Sequence, residues 1–384
     1  MQLILSTAII VTLLTSVFIA IRWRNVRCEG SMPTSLFTFI AILFTSGLDV
    51  GLIMFPLTEF PLYTEDPAYD FANPLAMEFG FWGFLVWAFY FLTTFYFCIV
   101  EPRVKLFEIP AIKFLNNIII ISTCAFTGFL FLSYLPTYID GITPVLQYGL
   151  VAVVVLFATL SSTDVKYVKV LSVSSTWLFF ALIGGMWVIT DMGLLGFVTT
   201  SAQIGEYFTE IHHFVTPISD SHAFYLFWWF SWSIMIGQFV SRFVGSMLTW
   251  HLLIALLVIP SIPIAVWFSV LYYYYENEIV ISGLVKGLMV FVGTVFVMNS
   301  VDSLMRLYTV NLNFTAHQVG RKKYVLGNWL VMSALILLYQ FTPLKIEWVG
   351  LLVIGLYLAI YLILFIRRKE FLSQSGNAEA IEAN

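Results

Sequence analysis

Residues 224–243 read FYLFWWFSWSIMIGQFVSRF, with three tryptophans (Trp228, Trp229 and Trp232) inside five positions and a single charged residue, Arg242, at the end. An apolar run of about 20 residues crosses a hydrocarbon layer roughly 30 Å thick at 1.5 Å per helical residue. Backbone groups in lipid must be paired within their own segment, so the run is a membrane helix. Its tryptophans also need explaining. Tryptophan in membrane helices usually sits at the water interface, whereas these three lie several residues inside the span. At about 100° per residue they occupy one narrow face.

The rest of the chain repeats the first property. Its 384 residues are 60% hydrophobic and 10% charged, with a net charge of −4, a balance that excludes a water-soluble domain of this size. Eleven spans are expected, over 3–22, 34–57, 77–99, 115–136, 145–162, 174–200, 223–247, 250–274, 284–304, 324–341 and 347–366. The first is read as a retained helix, because its basic residues follow the apolar run, the reverse of a cleavable signal peptide. With the N-terminus outside and the C-terminus cytoplasmic, all of the 18 lysines and arginines except Lys286 and Lys345 fall on the cytoplasmic side, as the positive-inside rule requires. The opposite loops, TEFPLYTEDPAYDFANP at 58–74 and EYFTEIHHFVTP at 206–217, are acidic and aromatic.

Cys28, Cys98 and Cys124 have no paired spacing, so they are read as small apolar residues rather than a disulfide or metal framework. His212 and His213, near Glu206 and Glu210, diverge by about 100° if helical, so no metal site is expected. No phosphate loop, nucleophile elbow or inward metal motif appears. The chain is not read as an enzyme, and its charge asks for no nucleic-acid partner.

With the first span set aside, ten remain and divide into five plus five of opposite orientation, as an inverted repeat demands. The expected organisation is a peripheral helix over 1–30, a first repeat over 31–200, an extracytoplasmic surface segment over 201–222, a second repeat over 223–369 and a disordered cytoplasmic tail over 370–384. Each repeat opens on an unusual helix. Span 34–57 carries SGLDVG, and span 223–247 carries the tryptophans. Discontinuous helices at such equivalent places mark a midplane binding site. Asp49 falls inside the first interruption, where a carboxylate costs several kcal/mol unless it is paired, protonated or wet. It is read as a residue that attracts a cationic substrate or carries a coupling proton. Asp302 is read as structural. Glu78 and Asp191 are expected at solvated outer helix ends, and Tyr272–Tyr275 as interfacial residues.

Span three adds Trp82, Trp87 and Tyr90, which share a face if that helix is regular. Two aromatic faces on packed helices can enclose a cage. A quaternary ammonium cannot donate a hydrogen bond, so its recognition rests on π faces.

At these residues the chain resembles the betaine/choline/carnitine transporter family, whose signature helix has the Tyr-Trp-x-Trp-Trp-x-Ser-Trp-Ser pattern and a distal Trp-Phe, here Trp267 and Phe268. WGFLVWAFY at 82–90, SGLDVGLIMFPLTEFPLY at 46–63, LFATLSSTDVKYVKVLSVSSTWL at 156–178 and FVMNSVDS at 296–303 follow the family's other segments in order. The resemblance implies an all-α polytopic fold with a leucine-transporter-like inverted repeat of five plus five helices, in a chain short of the family's first helix. It further implies a homotrimer in a bacterial inner membrane. A central cage would form from Trp82, Trp87, Tyr90 and Trp229, with Trp228 and Trp232 lining the cytoplasmic end of the path. One sodium site would involve Thr45, Leu48, Phe296, Asn299 and Ser300, and a second Thr123, Thr127 and Met235. The pattern departs at Asp49, at Asn299 where threonine is usual, and at Ile234-Met235 where Pro-Phe is usual, which bears on ion coupling more than on fold. The implied activity is uptake of glycine betaine, choline, carnitine or a sulfonium analogue, coupled to sodium or protons with no other cofactor. An amino-acid carrier on the same fold and a non-transporting solute sensor are the competing readings.

Overall fold

The computed structural model describes residues 1–48 and 50–368. Asp49 and the tail over 370–384 lie outside the described residues, as does Lys369.

Among the described residues, ten helices are long and apolar enough to cross a membrane. Helix α1, Gln2–Arg22, is followed by a short strand, β1 (Arg27–Cys28). The span expected over 34–57 is in three pieces: α2 (Leu36–Gly47), α3 (Val50–Met54) and α4 (Pro56–Glu65). Next come α5 (Pro74–Trp82) and α6 (Trp87–Phe95), which form one membrane crossing that runs on to Val104. The first half closes with α7 (Pro110–Tyr138), α8 (Pro144–Ser161) and α9 (Val165–Ile189). After a short helix α10 (Leu194–Ala202), a single α-helical turn over Gly205–Thr209 and a 3-10 helix over Ile211–Val215, the chain continues as α11 (Asp220–Val240). A second strand, β2 (Met247–Leu248), precedes α12 (Thr249–Glu276), α13 (Gly283–Asn311), α14 (Arg321–Phe341) and α15 (Ile346–Ile366).

The helix starts are written locally. Asn73 accepts from the Ala76 N–H at 2.9 Å ahead of Pro74, and Ser219 accepts from the His222 N–H at 3.0 Å. Asp164 and Ser282 do the same for α9 and α13. Each satisfies an N–H that the first turn would leave orphaned.

Several boundaries differ from expectation. The sixth span starts at Val165 and ends at Ile189, and 194–202 is a separate helix, because a turn with Asp191 at φ +52° intervenes. The helix that opens the second half is not interrupted, since α11 is regular α-helix from Asp220 to Val240. Instead the third span is interrupted, between Trp82 and Trp87. Of the four tyrosines over 272–275, Tyr272 and Tyr274 are buried against the protein.

Helices α11 and α13 form the centre. α13 packs on α2, α3, α7, α8 and α9, while α11 packs on α6, α7 and α15. The antiparallel β1–β2 pair, with Arg27 opposite Leu248, ties the segment after α1 to the start of α12.

Candidate substrate and ion site

The break after Gly47 frees main-chain carbonyls, and side chains from four other helices take them up. Tyr90 donates its hydroxyl to the Gly47 carbonyl at 3.0 Å. Ser300 donates to the Leu48 carbonyl at 2.8 Å and the Thr45 carbonyl at 3.3 Å. The Trp267 indole N–H reaches the Leu52 carbonyl at 2.8 Å, and the Tyr138 hydroxyl reaches that of Met54. A buried carbonyl without such a partner costs about 1–3 kcal/mol, so the broken helix is held open by its neighbours.

The break in the third span works the same way. Gly83 is extended, at φ −105° and ψ 165°, and Phe84 follows at φ +44°. The Phe84 N–H donates to the Ser261 hydroxyl at 2.8 Å, and the Leu85 N–H to the Tyr207 hydroxyl at 3.3 Å. Burial pushes the Tyr207 phenol above its ordinary value, which keeps it a neutral acceptor here. The carbonyls released on the other side are taken by indoles: Trp229 N–H to Phe81 at 2.8 Å, and Trp87 N–H to Trp82 at 2.9 Å.

Between the two breaks and α11 lies a cavity of about 10 Å³, lined by Gly47, Leu48, Trp82, Tyr90, Trp228, Trp229 and Trp232. That is room for about one water. Trp82 meets Trp228 and Trp229 edge to face, with centroids 5.3 and 6.1 Å apart, and Tyr90 meets Trp229 at a tilt, 5.4 Å apart. Trp87 does not line the cavity but stands behind it, 5.3 Å from Tyr90 and 5.9 Å from Trp229. Trp228 and Trp232 line the same space as the cage residues. The indole N–H groups of Trp82, Trp228 and Trp232 are buried without a hydrogen-bond acceptor.

The residues expected at the first ion site divide. Thr45, Leu48 and Ser300 are joined by the hydrogen bonds above. Asn299 turns to α9, accepting from Ser172 at 3.1 Å and donating to Ser175 at 3.4 Å. Phe296 meets Phe44 and Phe179 edge to face. At the second, Thr127 donates to the Thr123 carbonyl at 3.2 Å, the Thr123 hydroxyl is buried and unpartnered, and Met235 is fully buried on α11.

Asp302 accepts from Ser161 and Ser303, as a structural acid would. Glu78 is not at a solvated helix end. It is fully buried and accepts from Tyr63 at 2.8 Å, because the 58–74 loop folds back over it as helix α4. Glu210, His212 and His213 lie at the start of a 3-10 rather than an α-helical turn, and their ligand atoms come within 4.8 Å of one another. His213 is already paired with Glu210 at 3.5 Å and stacked on Phe71.

A broken helix packed against an aromatic-lined cavity, in a bundle of this helix order, defines a leucine-transporter-like fold. A solved structure of a Na+-coupled sialic acid symporter in a substrate-bound outward-open state matches with a TM-score of 0.53 at 15% identity, over 92% of this chain and 84% of that one. In sequence, the chain is 25% identical over 279 residues to the glycine betaine transporter OpuD of Bacillus subtilis (strain 168). That match takes in 61% of this chain and 54% of the relative, so the chain spans about half the length of the curated relative it matches. The resemblance to the betaine/choline/carnitine transporters is borne out by this kinship. Both matched proteins are transporters rather than enzymes. No family model matches the chain.

Proposed function

We propose that this chain is a secondary carrier that imports a small quaternary-ammonium or sulfonium solute by alternating access, driven by sodium or protons. The observation that carries the reading is the convergence of Trp82, Tyr90, Trp228, Trp229 and Trp232 on one cavity beside a broken backbone. Several desolvated π faces suit an onium head, at about 2 kcal/mol or more for each good contact. A primary ammonium would need fixed acceptors instead, and the carbonyl of Gly47, which lines the cavity, already accepts from Tyr90. The unpartnered indole N–H groups of Trp228 and Trp232 favour an occupant that brings an acceptor. Glycine betaine and carnitine carry a carboxylate, so they are preferred over choline.

The cavity is closed to the size of a water, so the rings must part to admit substrate. The breaks after Gly47 and at Gly83 are where the backbone can turn to let them. Sodium would be held by the Thr45 and Leu48 carbonyls with Ser300, and a second ion near Thr123 and Thr127. Asp49 remains the alternative carrier of a coupling proton. The end of the bundle rich in lysine and arginine faces the cytoplasm of a bacterial cell, and the acidic loops face outward.

The test is uptake of radiolabelled glycine betaine and choline into proteoliposomes, with sodium and proton gradients imposed separately. Accumulation of glycine betaine under either gradient is the expected result and names the ion. Binding without accumulation would identify a sensor, and no binding of either solute would refute the cage.

A further inference from the structure

Two buried carboxyls stand one helical turn from the aromatic cavity, and neither is used by the reading above. Glu59 is on α4 and Glu78 on α5, with 8% and 0% of their surfaces exposed. Tyr63 bridges them: its hydroxyl is 3.2 Å from Glu59 Oε2 and 2.8 Å from Glu78 Oε2. Tyr225, on α11, places its hydroxyl 2.7 Å from both oxygens of Glu59. The two phenols supply two protons for four carboxylate oxygens, and Glu78 Oε1 is left buried with no partner. The Trp82 indole N–H lies beside Glu78 without reaching hydrogen-bond geometry.

No lysine or arginine among the described residues is within 4.0 Å of either carboxyl. The titratable groups around the pair bring no fixed positive charge. They are Tyr63, Glu65 and Asp66 on and after α4, Tyr69 beyond it, and Tyr134 and Tyr138 on α7. Glu206 and Tyr207 approach from the surface segment, and Tyr272 and Tyr275 from α12. On α11 stand Tyr225 and His222, whose Nδ1 accepts the Ile218 N–H at 3.2 Å. Two carboxylates so placed, without a cation, repel each other when both are ionised, so one of them readily takes up a proton.

We infer that Glu59 and Glu78 form a carboxyl pair that holds one exchangeable proton at the outer mouth of the path to the aromatic cavity. The occupant is a proton rather than a metal ion because it needs no room. A cavity of about 250 Å³ is lined by Glu59, Tyr63, Glu65, Asp66 and Tyr69, and Glu78 does not border it. The proton enters from water in this acidic vestibule, passes by way of Glu59 and rests on Glu78. The layer it serves is directly above the cage, since Tyr225 touches Trp82 and Trp228 at 5.4 and 5.7 Å between ring centroids. Protonation removes the repulsion that would push α4 and α5 apart, so it holds the outer mouth closed. This link to the cage rests on the carrier reading, but the proton site does not.

The experiment is infrared difference spectroscopy of the purified protein in nanodiscs across a pH titration, with glycine betaine binding followed in parallel by tryptophan fluorescence. The expected spectrum has a buried carboxylic C=O band that appears on acidification, is absent in Glu78→Gln and shifts in Tyr63→Phe, which keeps the packing but removes the bridge. Because the closed cavity has no room for the solute, affinity for glycine betaine should fall as pH falls, by up to about tenfold per pH unit for one coupled proton, and become flat in Glu78→Gln. A band unchanged in Glu59→Gln, Glu78→Gln and Tyr63→Phe would overturn the pair. If no onium solute binds at any pH, a band lost in Glu78→Gln still establishes the proton site, and only the carrier reading falls.

Discussion

The two helices that carry the aromatic residues are built in opposite ways. The crossing from Pro74 to Val104 is interrupted at Gly83, and its released carbonyls are taken by indole N–H groups. Helix α11 is continuous through Gly237, and that glycine serves close packing instead. An added Cβ at Gly237 would collide with the side chain and carbonyl carbon of Thr93, whose hydroxyl donates to the Ser233 carbonyl at 2.7 Å. One helix is therefore a jointed element and the other a continuous stave packed against it. The same residue type marks a joint in one and a close approach in the other, and the surrounding side chains decide which.

Trp229 belongs to both helices in function, since it faces the cavity from α11 and caps the break in the other crossing through Phe81. Trp229→Ala is therefore expected to have the largest effect, weakening onium binding by about 30-fold or more from the lost π face alone. It also leaves the Phe81 carbonyl unpaired. Trp229→Phe restores the face without the N–H, so titration calorimetry on the two variants separates recognition from capping. Equal affinities for Trp229→Ala and the parent protein would remove Trp229 from the site.

The glycines test the joint-and-stave distinction next. Gly237→Ala should lower stability by about 1–3 kcal/mol through overpacking of α6 against α11, read as a fall in Tm of the detergent-solubilised protein. Gly83→Ala should cost less, about 1 kcal/mol. Its extended backbone is open to alanine, and the added Cβ meets the Phe79 ring at 2.7 Å and the Phe79 carbonyl oxygen at 2.9 Å, looser than the 2.3 Å approach to Thr93 at Gly237. The reverse order of Tm values would mean that the joint, not the stave, is the tightly packed element.

Much of this was legible in the residues. Apolar runs and the distribution of lysine and arginine gave the spans, because lipid leaves the backbone no alternative to helix. SGLDVG marked the first break, and the tryptophans marked the facing helix. The break at Gly83 was not legible: WGFLVW reads as helix, and the partners that take up the freed N–H groups of Phe84 and Leu85, Ser261 and Tyr207, are 177 and 122 positions away. Glu78 was misplaced for the same reason. It sits near a helix start, where solvent is the default partner, until the loop before it folds into α4 and brings Tyr63 over it. The continuity of α11 followed from packing too, since its glycine is filled in by Thr93.

The smallest expected effect concerns the second ion site. The Thr123 hydroxyl is buried and makes no hydrogen bond, although Thr127 one turn later donates to its carbonyl. A buried hydroxyl with no partner is a cost to the fold. Thr123→Val keeps the shape and removes that cost, so in sodium-free buffer Tm should stay level or rise slightly. If the hydroxyl is a ligand, its benefit is realised only with the ion bound. The stabilisation that sodium confers on the parent protein, which grows with ion concentration relative to Kd, should then shrink in Thr123→Val. The same shift with sodium in both proteins would leave Thr123 as an unpaid hydroxyl and confine ion binding to the break beside Ser300.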